Sequence, residues 1–164
     1  MVDTGNQRWE DRTKENLHYF LRRQKDRGAE FRGIPIIEDW PSNHSVSEEP
    51  SNTLIIVAIN DGHDVDKLVH AMMYAHWVDD ANLSNLDDLA KITNSVGLNA
   101  DKLIEASSSR DVLDTYNENT EEAVAMSVFS SPTYVIDGDM FYGQDSPDLV
   151  EYALNKPFRK TISK

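Results

Sequence analysis

The residues best suited to chemistry lie in one stretch near the C-terminus, Ser131-Pro132 and, a dozen positions on, Gln144-Asp145-Ser146. A proline that opens a strand cannot donate a ladder hydrogen bond, and X-Pro is the peptide bond that adopts the cis form at low cost. Ser131-Pro132 is therefore a candidate cis bond, and a kink there exposes the Ser131 N–H and C=O. Exposed main-chain groups of that kind can pair with an extended, peptide-like ligand as though it were an added strand. Gln144, Asp145 and Ser146 fall where a helix should begin. Free N–H groups at a helix start favour a carboxylate, and the Asp145 side chain can hold an ammonium. A free amino-acid end carries both charges on one carbon and would suit the pair. The plainer reading is that Asp145 or Ser146 is an N-cap.

Other chemistries are bounded by composition. The chain has no cysteine, which excludes disulfides, thiolate metal sites and a Cys-x-x-Cys redox centre. Its five histidines, His18, His44, His63, His70 and His76, show no metal-ligand spacing and are read as surface or core residues, with no metal expected. The net charge of −13 opposes binding to nucleic acid or anionic lipid. That charge is uneven, with residues 1–32 at net +2 and the remainder at net −15. The basic start is read as a solvated amphipathic helix. No apolar run reaches the roughly 20 residues of a membrane span, and the first residues lack a signal-peptide pattern. A cytoplasmic protein is expected.

Positioning these residues requires a core, and 164 residues with 39% hydrophobic content suffice for one domain. Residues 10–127 read as mainly helical. Residues 10–27 form a polar helix stopped by Gly28, and Pro35, Pro41 and Pro50 make 33–52 a loop. Asn52 or Thr53 caps the apolar run 54–59, which is a helix or a buried strand. Val65, Leu68, Val69, Met72, Met73 and Trp77 recur at helical spacing behind Asp64. Ser84 with Asp87 predicts the next helix start, Gly97 its end, Asn99 a further cap, and Ser109 the start of a helix running to about Met126. The period then changes. Residues 128–157 hold the candidate cis-proline loop, two β-rich runs about Asp137-Gly138, and a last helix beginning near Pro147 with Leu149, Val150, Tyr152, Ala153 and Leu154 as its apolar positions.

The run from Phe129-Ser130-Ser131-Pro132-Thr133 to Phe141-Tyr142-Gly143-Gln144-Asp145, preceded by Asn119-Thr120-Glu121-Glu122-Ala123, resembles a family pattern. It is that of the 2-hydroxychromene-2-carboxylate isomerases and the related kappa-class glutathione transferases, Asn-Thr-Glu-Glu-Ala, then Phe-Gly-Ala/Ser-Pro-Thr, then Phe-Trp-Gly-Gln-Asp-Arg. Ser51-Asn52-Thr53-Leu54 and Ala75-His76-Trp77-Val78 are similar to its Pro-Asn-Thr-Leu and Ala-Tyr-Trp-Val, so the resemblance covers residues 51–154. It implies a DsbA-like, thioredoxin-like fold with an inserted helical domain, and glutathione as cofactor. It further implies that Pro132 is the cis-proline, that Ser131 pairs its backbone with the cysteinyl part of glutathione, and that Gln144 and Asp145 hold the γ-glutamyl end. Ser130 and Ser146 stand where the family has Gly and Arg.

Thr4-Gly5-Asn6 resembles a Thr-Gly-Asn that follows the family's first strand, helix and second strand. By that resemblance Asn6 and Lys14 match an active-site asparagine and lysine. The family's serine that hydrogen-bonds the glutathione sulfur precedes this point and has no counterpart here. The expected architecture is thus α+β and mostly helical, a partial thioredoxin-like (DsbA-like) fold with a β-hairpin, a C-terminal helix and an inserted helical domain. The hairpin edge is expected to be covered by rearranged helices or by a second chain in a homodimer. Two functions follow as expectations: a glutathione-dependent isomerase acting on a small aromatic compound, or a non-catalytic glutathione- or peptide-binding and dimerisation module.

Overall fold

A computed structural model describes residues 13–159, and the chain divides into two compact units, Met1–Leu113 and Asp114–Lys164. In the first unit Thr13 caps helix α1, Lys14–Leu17, its hydroxyl accepting from the Asn16 N–H at 3.2 Å. A π-helical segment, His18–Arg23, leads into α2, Gln24–Arg32, which buries no residue, in keeping with a solvated basic helix. The helix runs through Gly28 and stops instead at Gly33, five residues later than expected. A glycine inside a helix costs only about 1 kcal/mol, whereas Gly33 adopts a left-handed φ of 65° that closes the helix, with the Ile34 N–H bonding back to the Ala29 carbonyl at 2.9 Å.

Residues 34–48 are irregular, as the prolines predict, but Pro50 does not belong to this loop. It occupies the first turn of α3, Glu49–Asn60, where the missing N–H has no partner to lose. Asn52 and Thr53 therefore lie within the helix and do not cap it. The buried hydroxyls of Ser51 and Thr53 donate to the carbonyls of Glu48 and Glu49 at 2.9 and 2.8 Å, which lets an apolar face carry them. The run 54–59 is helical.

Three more helices complete the layer: α4, Asp66–Val78; α5, Leu86–Ser95; and α6, Ala100–Ser107. The cap of α5 is Asn85, not Ser84. The Asn85 side chain accepts from the Asp87 and Asp88 N–H groups, while the Ser84 hydroxyl donates to the Ser47 carbonyl. Asn99 caps α6 as expected, accepting from the Lys102 N–H at 3.0 Å. The core joins Leu54, Val57 and Ala58 of α3 to Leu68, Met72 and Ala75 of α4, with Leu89, Ile92 and Leu103 behind them. Each buried Leu, Ile, Val or Met among them contributes roughly 1.5–3 kcal/mol by leaving water.

Helix α7, Arg110–Ala125, begins in the first unit and continues into the second. There β1, Thr133–Ile136, pairs antiparallel with β2, Asp139–Tyr142, in the register Thr133 to Tyr142 and Ile136 to Asp139. Asp137 and Gly138 take positive φ of 50° and 80°, the two-residue turn that matches strand twist. Helix α8, Pro147–Asn155, packs against β1. Its apolar residues are mostly exposed, with Ala153 buried and Leu149, Tyr152 and Leu154 open to solvent. Among the described residues no helix is long and apolar enough to cross a membrane. The whole is the mostly helical α+β arrangement expected, with a small two-stranded sheet.

Candidate functional site

The turn that joins β2 to α8 folds back on the loop that precedes β1. The Ser131–Pro132 peptide bond is cis, and the Pro132 carbonyl accepts from the Gly143 N–H at 3.0 Å. That bond closes the hairpin beyond its last strand pair and brings together residues eleven positions apart. Ser131 and Pro132 are exposed. Among the described residues the Ser131 N–H and C=O have no hydrogen-bond partner, so both remain open to a ligand.

Gly143 makes the geometry possible. Its φ of 107° is one that side-chain-bearing residues rarely adopt, and a Cβ built there would lie 2.6 Å from Asp145 Oδ1. The Asp145 carboxylate is therefore folded back against the Gly143 backbone, on the turn that Pro132 holds. Ser146 secures the same turn from beneath: it is buried, its hydroxyl donates to the Tyr142 carbonyl at 2.7 Å, and its N–H donates to the Gly143 carbonyl at 3.2 Å. The Ser146 hydroxyl thus braces the turn and does not cap α8.

The helix start is a poorer anion site than its position in the sequence promises. Pro147 has no N–H, the Ser146 N–H is taken by Gly143, and the Leu149 N–H donates to the Ser146 carbonyl at 3.0 Å. Within this first turn the Asp148 N–H is what remains, beside an acidic side chain. Asp145 and Asp148 together favour a cation. Gln144, exposed beside Asp145, supplies an amide that can both donate and accept. Next to this polar turn, the rings of Phe129 and Tyr142 meet at 4.9 Å and are 67% and 49% exposed, an apolar shelf that a ligand can cover.

Ser131, Pro132, Gln144 and Asp145 are thus brought together within the second unit. Lys14 belongs to the first unit, exposed on α1, and Asn6 lies outside the described residues. Among the described residues no cluster of three or more His, Asp or Glu side chains is arranged to hold a metal.

A second cluster escaped the sequence reading. In the first unit His44 Nδ1 and His76 Nε2 are 3.0 Å apart, framed by Trp40 and Trp77. The two histidines are 32 positions apart, one in a loop and one on a helix, and no periodicity links them.

The DSBA-like thioredoxin domain family matches residues 2–155. A solved structure of selenomethionine-labelled 2-hydroxychromene-2-carboxylate isomerase (HCCA isomerase) superposes with a TM-score of 0.69 over 93% of this chain and 71% of that one, at 20% sequence identity. At that identity the likeness concerns the fold. No curated protein matches the chain. Because the family match spans nearly the whole sequence, hairpin and helical part alike, this chain belongs to the DSBA-like thioredoxin domain family.

Proposed function

We propose that the turn between β2 and α8, with the Pro132 loop, binds glutathione, and that the chain is a glutathione-dependent isomerase-like protein of the 2-hydroxychromene-2-carboxylate isomerase type. The observation that carries the reading is the Gly143 to Pro132 hydrogen bond, which sets an acidic side chain beside the unpartnered backbone of Ser131. Glutathione is an extended tripeptide with a free amino-acid end. Its backbone complements the Ser131 N–H and C=O as an added strand. Its α-ammonium suits Asp145, and its γ-glutamyl carboxylate suits the Gln144 amide better than the depleted helix start. The motif resemblance over residues 51–154 points to the same residues, and the fold shared with HCCA isomerase agrees with it.

Bound there, glutathione would supply a thiolate able to add reversibly to a conjugated substrate. The chain's own part is to fix the tripeptide and to present Phe129 and Tyr142 to a small aromatic compound. A cytosolic setting, where glutathione is kept reduced, suits this reading. A second reading is a non-catalytic module that takes glutathione or an extended peptide, or pairs with a second copy. It is favoured by the openness of the turn, where Ser131, Pro132, Gln144 and Asp145 are all exposed.

A thermal melt with and without millimolar glutathione tests both. A ligand at 100 times its Kd stabilises by about 2.7 kcal/mol, so the midpoint should rise, and Asp145→Ala should abolish the rise without lowering the ligand-free midpoint. No shift removes glutathione from both readings. A shift with no cis–trans turnover of a conjugated aromatic acid leaves the module, and size-exclusion chromatography then tells whether it is a dimer.

A further inference from the structure

The loop of residues 38–48 is fastened across the C-terminal end of α4 by polar contacts from both ends. The Ile37 N–H donates to the Trp77 carbonyl at 2.8 Å, and Arg22 reaches Asp39 at 2.8 Å. The N–H and hydroxyl of Ser42 each donate to the Asp80 carboxylate at 2.6 Å. Further along, the Ser47 carbonyl receives the Ser84 hydroxyl. In the middle stands the His44–His76 contact, with Trp40 and Trp77 packed on the His44 ring at centroid distances of 4.7 and 5.1 Å.

The hydrogen bonds assign the tautomers. His76 is buried, and its Nδ1 lies 3.2 Å from the Ala81 carbonyl, which can only accept. His76 Nδ1 therefore carries a proton, and in the neutral ring Nε2 is an acceptor. His44 Nδ1, 3.0 Å away, must then be the donor, which leaves the His44 Nε2 lone pair free. A first proton taken at His44 Nε2 preserves the arrangement and charges the donor of the bond. A second proton has no such place. It must go to His76 Nε2, and two N–H groups of two cations would then point at each other.

We infer that residues 38–48 form a strap latched to α4 through the His44–His76 bond, and that binding of a second proton by this pair releases it. The groups facing the pair support this. Burial beside the tryptophans, and then the His76 charge, hold the His44 pKa below its ordinary value, with Glu48 opposing. Asp80, facing His76, is kept below the usual carboxylate range by the two Ser42 hydrogen bonds, so it remains an anion well into the acid range. Lys25 of α2, over the Trp77 ring at 5.9 Å, is the cation on the far side. The strap is closed at neutral pH and opens on acidification.

Nuclear magnetic resonance of the whole chain between pH 8 and pH 5 tests this. At neutral pH the ring nitrogens should show His76 protonated at Nδ1 and His44 bare at Nε2; the opposite tautomers would overturn the latch. On acidification the Ser42 amide should lose protection, its exchange rate rising relative to that of an unstructured amide at the same pH, together with a shift of the Trp40 indole signal. His44→Gln keeps a donor for His76 but cannot take a proton, and should hold the strap closed throughout. Asp80→Asn should loosen it at every pH, because the carboxylate that receives both Ser42 donors is lost. An unchanged Ser42 amide in the parent chain, or the same transition in His44→Gln, would refute the inference.

Discussion

The two units divide stability and ligand chemistry unequally. The helical unit holds a continuous core in which Leu54, Leu68 and Leu89 are fully shielded from water. The unit from Asp114 onward buries Phe141 and Ala153 and leaves Phe129, Val135, Tyr142, Leu149, Tyr152 and Leu154 exposed. Yet the candidate ligand-binding residues Ser131, Pro132, Gln144 and Asp145 lie on the second. A two-stranded hairpin with one helix has little apolar area to bury, so its geometry rests on a few local bonds, chiefly Gly143 to Pro132 and Ser146 to Tyr142. A packed core tolerates the loss of one hydrogen bond. A turn built from three does not, and this makes the second unit the more sensitive to single substitutions at its polar positions.

This contrast can be broken most forcefully in the core. Leu68→Ala should cost about 2–5 kcal/mol, read as a lower denaturant midpoint, with the glutathione response of any remaining folded chain intact. Gly143→Val comes next. The strained backbone alone should cost about 1–3 kcal/mol, and the collision with Asp145 should remove the glutathione-dependent rise in melting temperature altogether; survival of that rise would separate the turn from the ligand. Asn85→Ala, which removes the cap of α5, should cost about 1 kcal/mol and leave the ligand response untouched.

Thr93 offers a change of opposite sign. It is fully buried and its hydroxyl has no hydrogen-bond partner among the described residues, so Thr93→Val should stabilise by about 1 kcal/mol. The smallest effect is expected from acid. Asp61 is held below the usual carboxylate range by its hydrogen bond from Lys102, and Asp88 by that from the Asn82 N–H. Groups with depressed folded values contribute stability that is complete above the ordinary carboxylate pKa near 3.8 and is lost as pH falls through the lower folded values. Urea midpoints should therefore decline in two stages, slightly below about pH 6.5, where the depressed His44 imidazole favours proton uptake by the unfolded chain, and again below about pH 4, and Asp61→Asn should flatten part of the second decline.

Local signals in the chain were sound wherever a single residue type has one inexpensive use. The Asp137-Gly138 turn, the Asn99 cap, Pro147 in a first turn and the stripe from Leu68 to Met72 needed only neighbours within a few positions. The errors arose where two local candidates competed. Gly28 and Gly33 both permit a helix to end, and Ser84 and Asn85 both can cap, so the outcome depended on which one's partners the rest of the helix supplied. Pro50 reads as a breaker from one side and as a helix opener from the other.

For the candidate site, the sequence alone singled out Ser131, Pro132, Gln144 and Asp145, because proline chemistry, a helix start and a family-like motif coincide within fifteen residues. Composition likewise settled that this sequence supplies no cysteine thiol of its own. Only the tertiary structure decided that Ser146 braces the turn, that Asp145 lies back over Gly143, and that His44 and His76 share a bond. Residue types and spacings encode what a short segment can do by itself. Which donor meets which acceptor across tens of residues follows from how helices pack, and that is set by the sum of many apolar contacts and written in no single stretch of sequence.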